Sequence, residues 1–141
     1  MTDDALRDLI ADHRNGILAT IRKDGRPQQS VVSYHYDRDR DLLRVSITAD
    51  RAKAKNIARD PRVNFLVTGN DGWSYAAFDS RADLWPVAQS PDDASVEELV
   101  DIYRSIAGEH QDWDDYRAAM VRDHRVPLHL PIGRLVGVAR G

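Results

Sequence analysis

The segment covering residues 46–57 carries the side chains best suited to binding an anion. It joins a predicted strand to a predicted helix, with two hydroxyls and several cations around the turn. A helix N-terminus offers free N–H groups and partial positive charge, which suit a phosphate group. Ser46 and Thr48 can donate hydrogen bonds to phosphate oxygens, and the Arg51 guanidinium can bind two of them at once. Cations in a first helical turn oppose the helix dipole unless an anion is present, so this segment is a candidate phosphate site.

A solvated basic stripe is the competing interpretation of the same cations. Arg51, Lys55 and Arg59 recur every four residues, which places them on one face of a helix. The two interpretations differ in whether the cations contact a ligand or only water.

The loop at residues 71–75 delivers two aromatic side chains to the start of a strand. Trp73 and Tyr75 could stack on a planar ring or fill the core, and the pattern alone favours the core.

The sequence offers no strong candidate for a catalytic or metal-binding side chain. There is no cysteine, which excludes disulfides, thiolate nucleophiles and sulfur-based metal sites. No G-x-S-x-G, Walker A or G-x-G-x-x-G pattern occurs, and the five histidines form no HExxH motif. We therefore predict no catalytic side chain and no metal site, and expect any reaction to depend on a bound cofactor.

Hydrophobic spacing indicates the elements that position these residues. It predicts helices over residues 3–14, 51–60, 91–106 and 113–123. It predicts strands over residues 16–22, 27–36, 42–47, 63–67, 73–78, 81–87 and 125–138. The Asp24-Gly25 pair predicts a hairpin turn between the first two strands. About six antiparallel strands with short helices predict an α+β, mainly β, fold built as a small barrel.

Composition limits the class of protein further. A length of 141 residues predicts one domain over residues 1–141. Twenty basic and 23 acidic side chains give a net charge of −3, which does not suit a general nucleic-acid binder. No apolar run approaches the roughly 20 residues that span a bilayer, and the first residues do not resemble a signal peptide. We expect a cytoplasmic protein without a membrane partner.

These motifs together resemble the pyridoxamine 5′-phosphate oxidase-like (PNPOx-like) family of split β-barrel flavin and deazaflavin reductases. The residues that carry the resemblance are 16–21 with 24–28, 45–47, 51–53 with Asn56, 60–63, 71–75 and 107–117. Leu-Ala-Thr followed by Asp-Gly-x-Pro is typical of the whole superfamily. Arg-x-Lys at 51–53 and the Gly-Glu-His run from residue 108 resemble the actinobacterial branch that depends on coenzyme F420.

The resemblance implies an FMN-binding (PNPOx-like) split β-barrel and a homodimer with cofactor sites at the subunit interface. It implies that Arg51 and Lys53 hold the cofactor phosphate, helped by Ser46, Thr48 and Asn56. The strand with Gln28, Ser30, Val31 and Val32 would lie along the ring system and bind it mainly through backbone groups. Trp73 and Ser74 would approach from the partner chain.

The function implied is an F420-dependent oxidoreductase that transfers a hydride between the reduced deazaflavin and an activated small-molecule acceptor. The alternatives are an FMN-dependent reductase or oxidase of the same fold, and a non-catalytic carrier of a cofactor or haem-like ligand. F420 differs from FMN in the negatively charged polyglutamate tail beyond its phosphate. Candidate cations for that tail are Lys55 and Arg59 on the helix, or Arg22, Lys23 and Arg26 in the hairpin.

Overall fold

Two antiparallel sheets and four short helices account for the regular structure of this computed structural model, which describes residues 3–139. The elements follow one another as α1 (Asp3–Ala11), β1 (Asn15–Ile21), β2 (Pro27–Ser33), β3 (His35–Asp37), β4 (Leu42–Thr48), α2 (Ala52–Arg59), β5 (Arg62–Thr68), β6 (Tyr75–Arg81), β7 (Asp83–Leu84), α3 (Ala94–Ala107), α4 (Trp113–Arg122), β8 (Arg125–Pro131) and β9 (Leu135–Val138).

The strands divide into a five-stranded sheet, in the order β2-β1-β5-β6-β9, and a four-stranded sheet, in the order β3-β4-β8-β7. Neighbouring strands in both sheets pair antiparallel. The sheets face each other without closing into one continuous barrel. The predicted mainly β, split-barrel class is therefore confirmed.

Two predicted strands are wrong as single elements, because each changes sheet partway. The predicted strand over 27–36 is β2 in the larger sheet and β3 in the smaller one. Tyr34 lies between them, buried, and its hydroxyl donates to the carbonyl of Ile10 at 2.7 Å. The predicted strand over 125–138 is likewise divided into β8 and β9. At that crossing Gly133 packs so closely that a Cβ would lie 2.4 Å from the Asp79 carbonyl oxygen.

Two shorter predictions also need correction. The predicted strand over 73–78 begins at Tyr75 and continues to Arg81, and the predicted strand over 81–87 is reduced to the two residues of β7. The nine strands in the described residues are thus more numerous than the predicted ones and generally shorter. Local alternation of apolar residues does not show where a strand leaves one sheet for another.

The core lies between the sheets and against α1 and α2. Leu18, Phe65 and Phe78 stand in register across β1, β5 and β6, facing inward. The two phenylalanine rings stack at 5.7 Å between centroids, and Tyr34 meets Phe65 edge-on at 5.5 Å. A second, smaller core joins α3 to α4 through Val96, Leu99, Val100 and Met120.

The other side of the larger sheet is the outer face. One row of residues crosses all five strands in register there, and it is apolar throughout. We call it the outer row, and it consists of Val31, Ile17, Leu66, Ala77 and Val136. Its end members, Val31 and Val136, are exposed in the single chain.

Helix α2 is held in place by both apolar and polar contacts. Ala54 and Ile57 are buried in the main core. Asn56 is also buried, and its Nδ2 donates to Thr20 Oγ1 and Gln28 Oε1, each at 3.1 Å. These polar contacts hold α2 against β1 and β2.

Candidate functional site

A cleft of about 380 Å³ lies where the edge of β2, the end of β4, the start of α2 and the start of β8 meet. Its walls contain most of the residues predicted for phosphate and ring binding. The lining residues are Val31, Val32, Ser33, Ser46, Ile47, Thr48, Arg51, Lys53 and Arg125. Folding therefore brings β2, which is predicted to contact the ring, next to the cations predicted to hold the phosphate.

The cleft is electropositive. Arg51, Lys53 and Arg125 all line it, and none of its nine lining residues is acidic. None of the ion pairs found within residues 3–139 involves these three cations. Like charges that converge without a counterion repel one another, so the arrangement favours an anionic ligand.

The start of α2 differs from the starts of α3 and α4. Asp93 and Asp112 cap those two helices, accepting hydrogen bonds from the backbone N–H groups of Val96 and Asp115. Helix α2 has Arg51 at the N-cap, with no side-chain cap and no acid in its first turn. An external anion at this end would supply the negative charge that the other two helices take from aspartate.

Asn56 and Gln28 do not line the cleft. Their amides bond to each other, and Asn56 Oδ1 accepts from Arg59 Nη2 at 2.9 Å. These contacts secure α2 against β1 and β2. Direct contact of either amide with a cofactor stays a prediction.

Strand β2 presents alternate residues to opposite sides. Ser30 and Val32 face the core, whereas Val31 points outward with 73% of its surface exposed. Ser30 Oγ is buried and has no hydrogen-bond partner within the described chain. Because β2 is an edge strand, one set of its backbone N–H and C=O groups faces away from β1. A planar ring along this edge would meet mainly backbone groups.

Trp73 and Ser74 are not brought to this cleft within one chain. Ser74 is buried, and its Oγ donates to Asp71 Oδ2 at 2.7 Å. Trp73 is 70% exposed, so the expectation from pattern alone that this aromatic fills the core is wrong. Approach of these residues to a partner's cofactor stays a prediction.

Arg125 was missed by sequence reasoning. It is the first residue of β8 and pairs with Thr48, the last residue of β4. No sequence motif joins it to the segment at residues 46–57, because only the pairing of β4 with β8 brings them together. The sequence indicated only that a strand starts at this residue, after the helix predicted over 113–123.

A buried charge cluster was also missed, between the smaller sheet and α3. Glu98 accepts hydrogen bonds from Arg44 and His129, and Arg44 Nη2 also donates to Asp101 at 2.7 Å. Burial alone would raise the pKa of Glu98, but the bonds from His129 and Arg44 outweigh it and lower the pKa to about 2. The cluster fastens α3 to β4 and β8.

Two further observations concern the part of the chain that the structure describes. No group of three or more His, Cys, Asp or Glu side chains is placed to hold a metal ion. None of the helices within residues 3–139 is long and apolar enough to cross a membrane.

Comparison with known proteins identifies the fold. The sequence pattern of the family described as pyridoxamine 5′-phosphate oxidase matches residues 2–126. A conserved hypothetical protein from Mycobacterium tuberculosis is similar, with 23% identity and a TM-score of 0.75, over 99% of this chain and 85% of that one.

Two other similar solved structures are of proteins named for the cofactor they use or bind. One is described as an F420 reductase, with 25% identity and a TM-score of 0.64, over 92% of this chain and 94% of that one. The other is described as a FAD-binding protein from Mesorhizobium loti, with 22% identity and a TM-score of 0.69, over 97% and 92%. Since proteins with different ligands share this fold, the fold does not select the cofactor.

Proposed function

The chain belongs to the pyridoxamine 5′-phosphate oxidase family, and from that premise we propose that it is a coenzyme F420-dependent oxidoreductase. Its reaction is a hydride transfer between the reduced deazaflavin and an activated small-molecule acceptor. The observation that carries the proposal is the acid-free cleft, in which cations from α2 and β8 meet the hydroxyls of β4 beside an edge strand.

The chain's first task is to bind the phosphate of the cofactor. Arg51 and Lys53 at the start of α2 hold it by charge-assisted hydrogen bonds, and Ser46 and Thr48 donate their hydroxyls from the end of β4. Neither cation is committed to a carboxylate within residues 3–139, so binding does not first require breaking an ion pair.

The second task is to orient the ring. The edge of β2 offers backbone donors and acceptors in a fixed row, and the side chain of Val31 offers an apolar surface. The deazaflavin, when bound, supplies the hydride-transfer chemistry. The protein's own contribution is to position the cofactor and the acceptor and to limit their contact with water.

The third part of the proposal is a homodimer. The outer row leaves an apolar band across the larger sheet, and Trp73 is exposed in the connection between β5 and β6 of that sheet. An exposed apolar face of this kind is typical of an interface. A second copy would cover it and bring its own Trp73 and Ser74 toward the cleft.

Charge beyond the phosphate is the argument for F420 over FMN. Of the predicted cations, Arg59 donates to Asn56 and to the carbonyl of Ile21, and Arg22 pairs with Asp24 at 3.1 Å. Lys23, Arg26 and Lys55 are exposed, and no ion pair within the described chain involves them. They are the cations best placed to attract a polyglutamate tail.

The decisive experiment is a titration of the purified apoprotein with F420 and with FMN, each at low and high salt. We expect F420 to bind with micromolar or tighter affinity, FMN to bind more weakly, and F420 affinity to fall as salt rises. Tighter binding of FMN, with equal salt dependence, would replace the deazaflavin with the flavin alternative. A Soret band in the protein as purified would instead support the carrier alternative.

A further inference from the structure

Arg125 lines the cleft from β8, whereas Lys53 lines it from α2 and Arg51 from the N-cap of that helix. Arg125 pairs across the strands with Thr48, and the carbonyl of Thr48 accepts from the backbone N–H of Arg51 at 3.1 Å. Arg51 and Arg125 therefore flank the same residue from two different elements. In a cleft of about 380 Å³, their side chains can converge on one small group.

The Arg125 guanidinium is incompletely hydrogen-bonded. Its Nε is buried and has no partner within residues 3–139. Its Nη1 lies 3.5 Å from the carbonyl oxygen of Ser46, at the long limit of a hydrogen bond. Buried polar groups in folded proteins are nearly always hydrogen-bonded, so an unpaired N–H beside a cleft points to a missing acceptor.

Two other arginines that are at least partly buried, Arg7 and Arg44, do have carboxylate acceptors. Arg44 binds Glu98 and Asp101, and Arg7 binds Asp41 through two hydrogen bonds. Arg125 is also partly buried, but none of the residues that line the cleft with it is acidic. It therefore differs from Arg7 and Arg44 in having no carboxylate in the cleft to bind.

We infer that Arg125 is the third anion-binding residue of the cleft and contacts the same phosphate group as Arg51 and Lys53. This inference rests on the phosphate cleft proposed above, and it adds a contact from the smaller sheet to the contacts from α2. A ligand held in this way links α2 to β8, so the phosphate is bound between two elements rather than at a helix end alone.

The first test compares Arg125→Gln with Arg122→Gln as a charge-matched control. Arg122 is exposed at the end of α4 and does not line the cleft. The probes are FMN and riboflavin, which share a ring and differ in the phosphate. We expect Arg125→Gln to weaken FMN binding roughly 10- to 150-fold, as for one lost charge-assisted contact. Riboflavin binding should stay unchanged, and Arg122→Gln should match the wild type with both probes.

The second test does not depend on the ring. The ¹⁵Nε–¹Hε resonance of Arg125, assigned by its absence from Arg125→Lys, is followed by NMR as inorganic pyrophosphate is added. We expect a saturable shift of this resonance in the wild type. Arg125→Lys keeps the charge without the Nε–H group and serves if Arg125→Gln fails to fold.

The outcomes separate this inference from the proposed function. If F420 fails to bind but pyrophosphate shifts the Arg125 resonance, the anion site stands and the deazaflavin assignment falls. If F420 binds the wild type and Arg125→Gln equally well, the inference is wrong while the proposed function survives. An unmoved Nε resonance at saturating pyrophosphate also overturns it.

Discussion

Replacing Lys53 by alanine separates the anion site from a solvated basic stripe. Lys53 lines the cleft and takes part in none of the ion pairs found within residues 3–139. Its removal therefore costs the fold little, and alanine is at least as good a helix former. The expected change in unfolding free energy is within about 0.5 kcal/mol.

The effect on ligand binding should be much larger. One charge-assisted hydrogen bond contributes about 1.5–3 kcal/mol, which corresponds to roughly 10- to 150-fold in affinity. Lys55→Ala is the matched control, because it removes the same charge from the same helix at a position outside the cleft. Its expected effect is limited to long-range attraction and should disappear at high salt.

The assay is a fluorescence or calorimetric titration of each variant with F420 and FMN, alongside thermal unfolding. Lys53→Ala should lose affinity for both cofactors at every salt concentration while its melting temperature stays near that of the wild type. Equal affinity in Lys53→Ala, Lys55→Ala and wild type would show that these cations contact only water. The phosphate site at α2 would then have to be abandoned.

Three other perturbations test the fold and the assembly. Val136→Asp places a charge at the end of the outer row, so light scattering should show a dimer for the wild type and a monomer for the variant. A variant that is still a dimer would argue against this face as the interface. Glu98→Gln should destabilise the protein by about 3 kcal/mol, because it weakens the pairing of a buried arginine. The depressed pKa of Glu98, about 2, means that its stabilisation is complete above the ordinary carboxyl pKa and is lost as pH falls toward 2; acid unfolding curves of this variant should be flatter over that range, and an unchanged slope would contradict the coupling. Gly16→Ala places a Cβ 2.2 Å from the Phe65 ring, so chemical denaturation should show a loss of at least about 1 kcal/mol, and wild-type stability would refute the close packing.

Some features of the larger sheet could be predicted from the sequence, and others could not. The Asp24-Gly25 turn and the strands on either side of it are local, and β1 and β2 lie where the pattern predicts their start. The change of sheet at Tyr34 has no local signature, since β2 and β3 together read as one continuous run. The outer row likewise exists only once the register of five strands is fixed.

The candidate site divides in the same way. Ser46, Thr48, Arg51 and Lys53 could be found from the sequence because a strand end and a helix start are neighbours along the chain, so their side chains meet regardless of the rest of the fold. Arg125 joins them only through the pairing of β8 with β4, between residues far apart in sequence. Sequence determines contacts within a turn because backbone geometry limits them to a few arrangements. Contacts between distant strands depend on which pairing buries the most apolar surface while satisfying the backbone hydrogen bonds, and only the complete tertiary structure decides that.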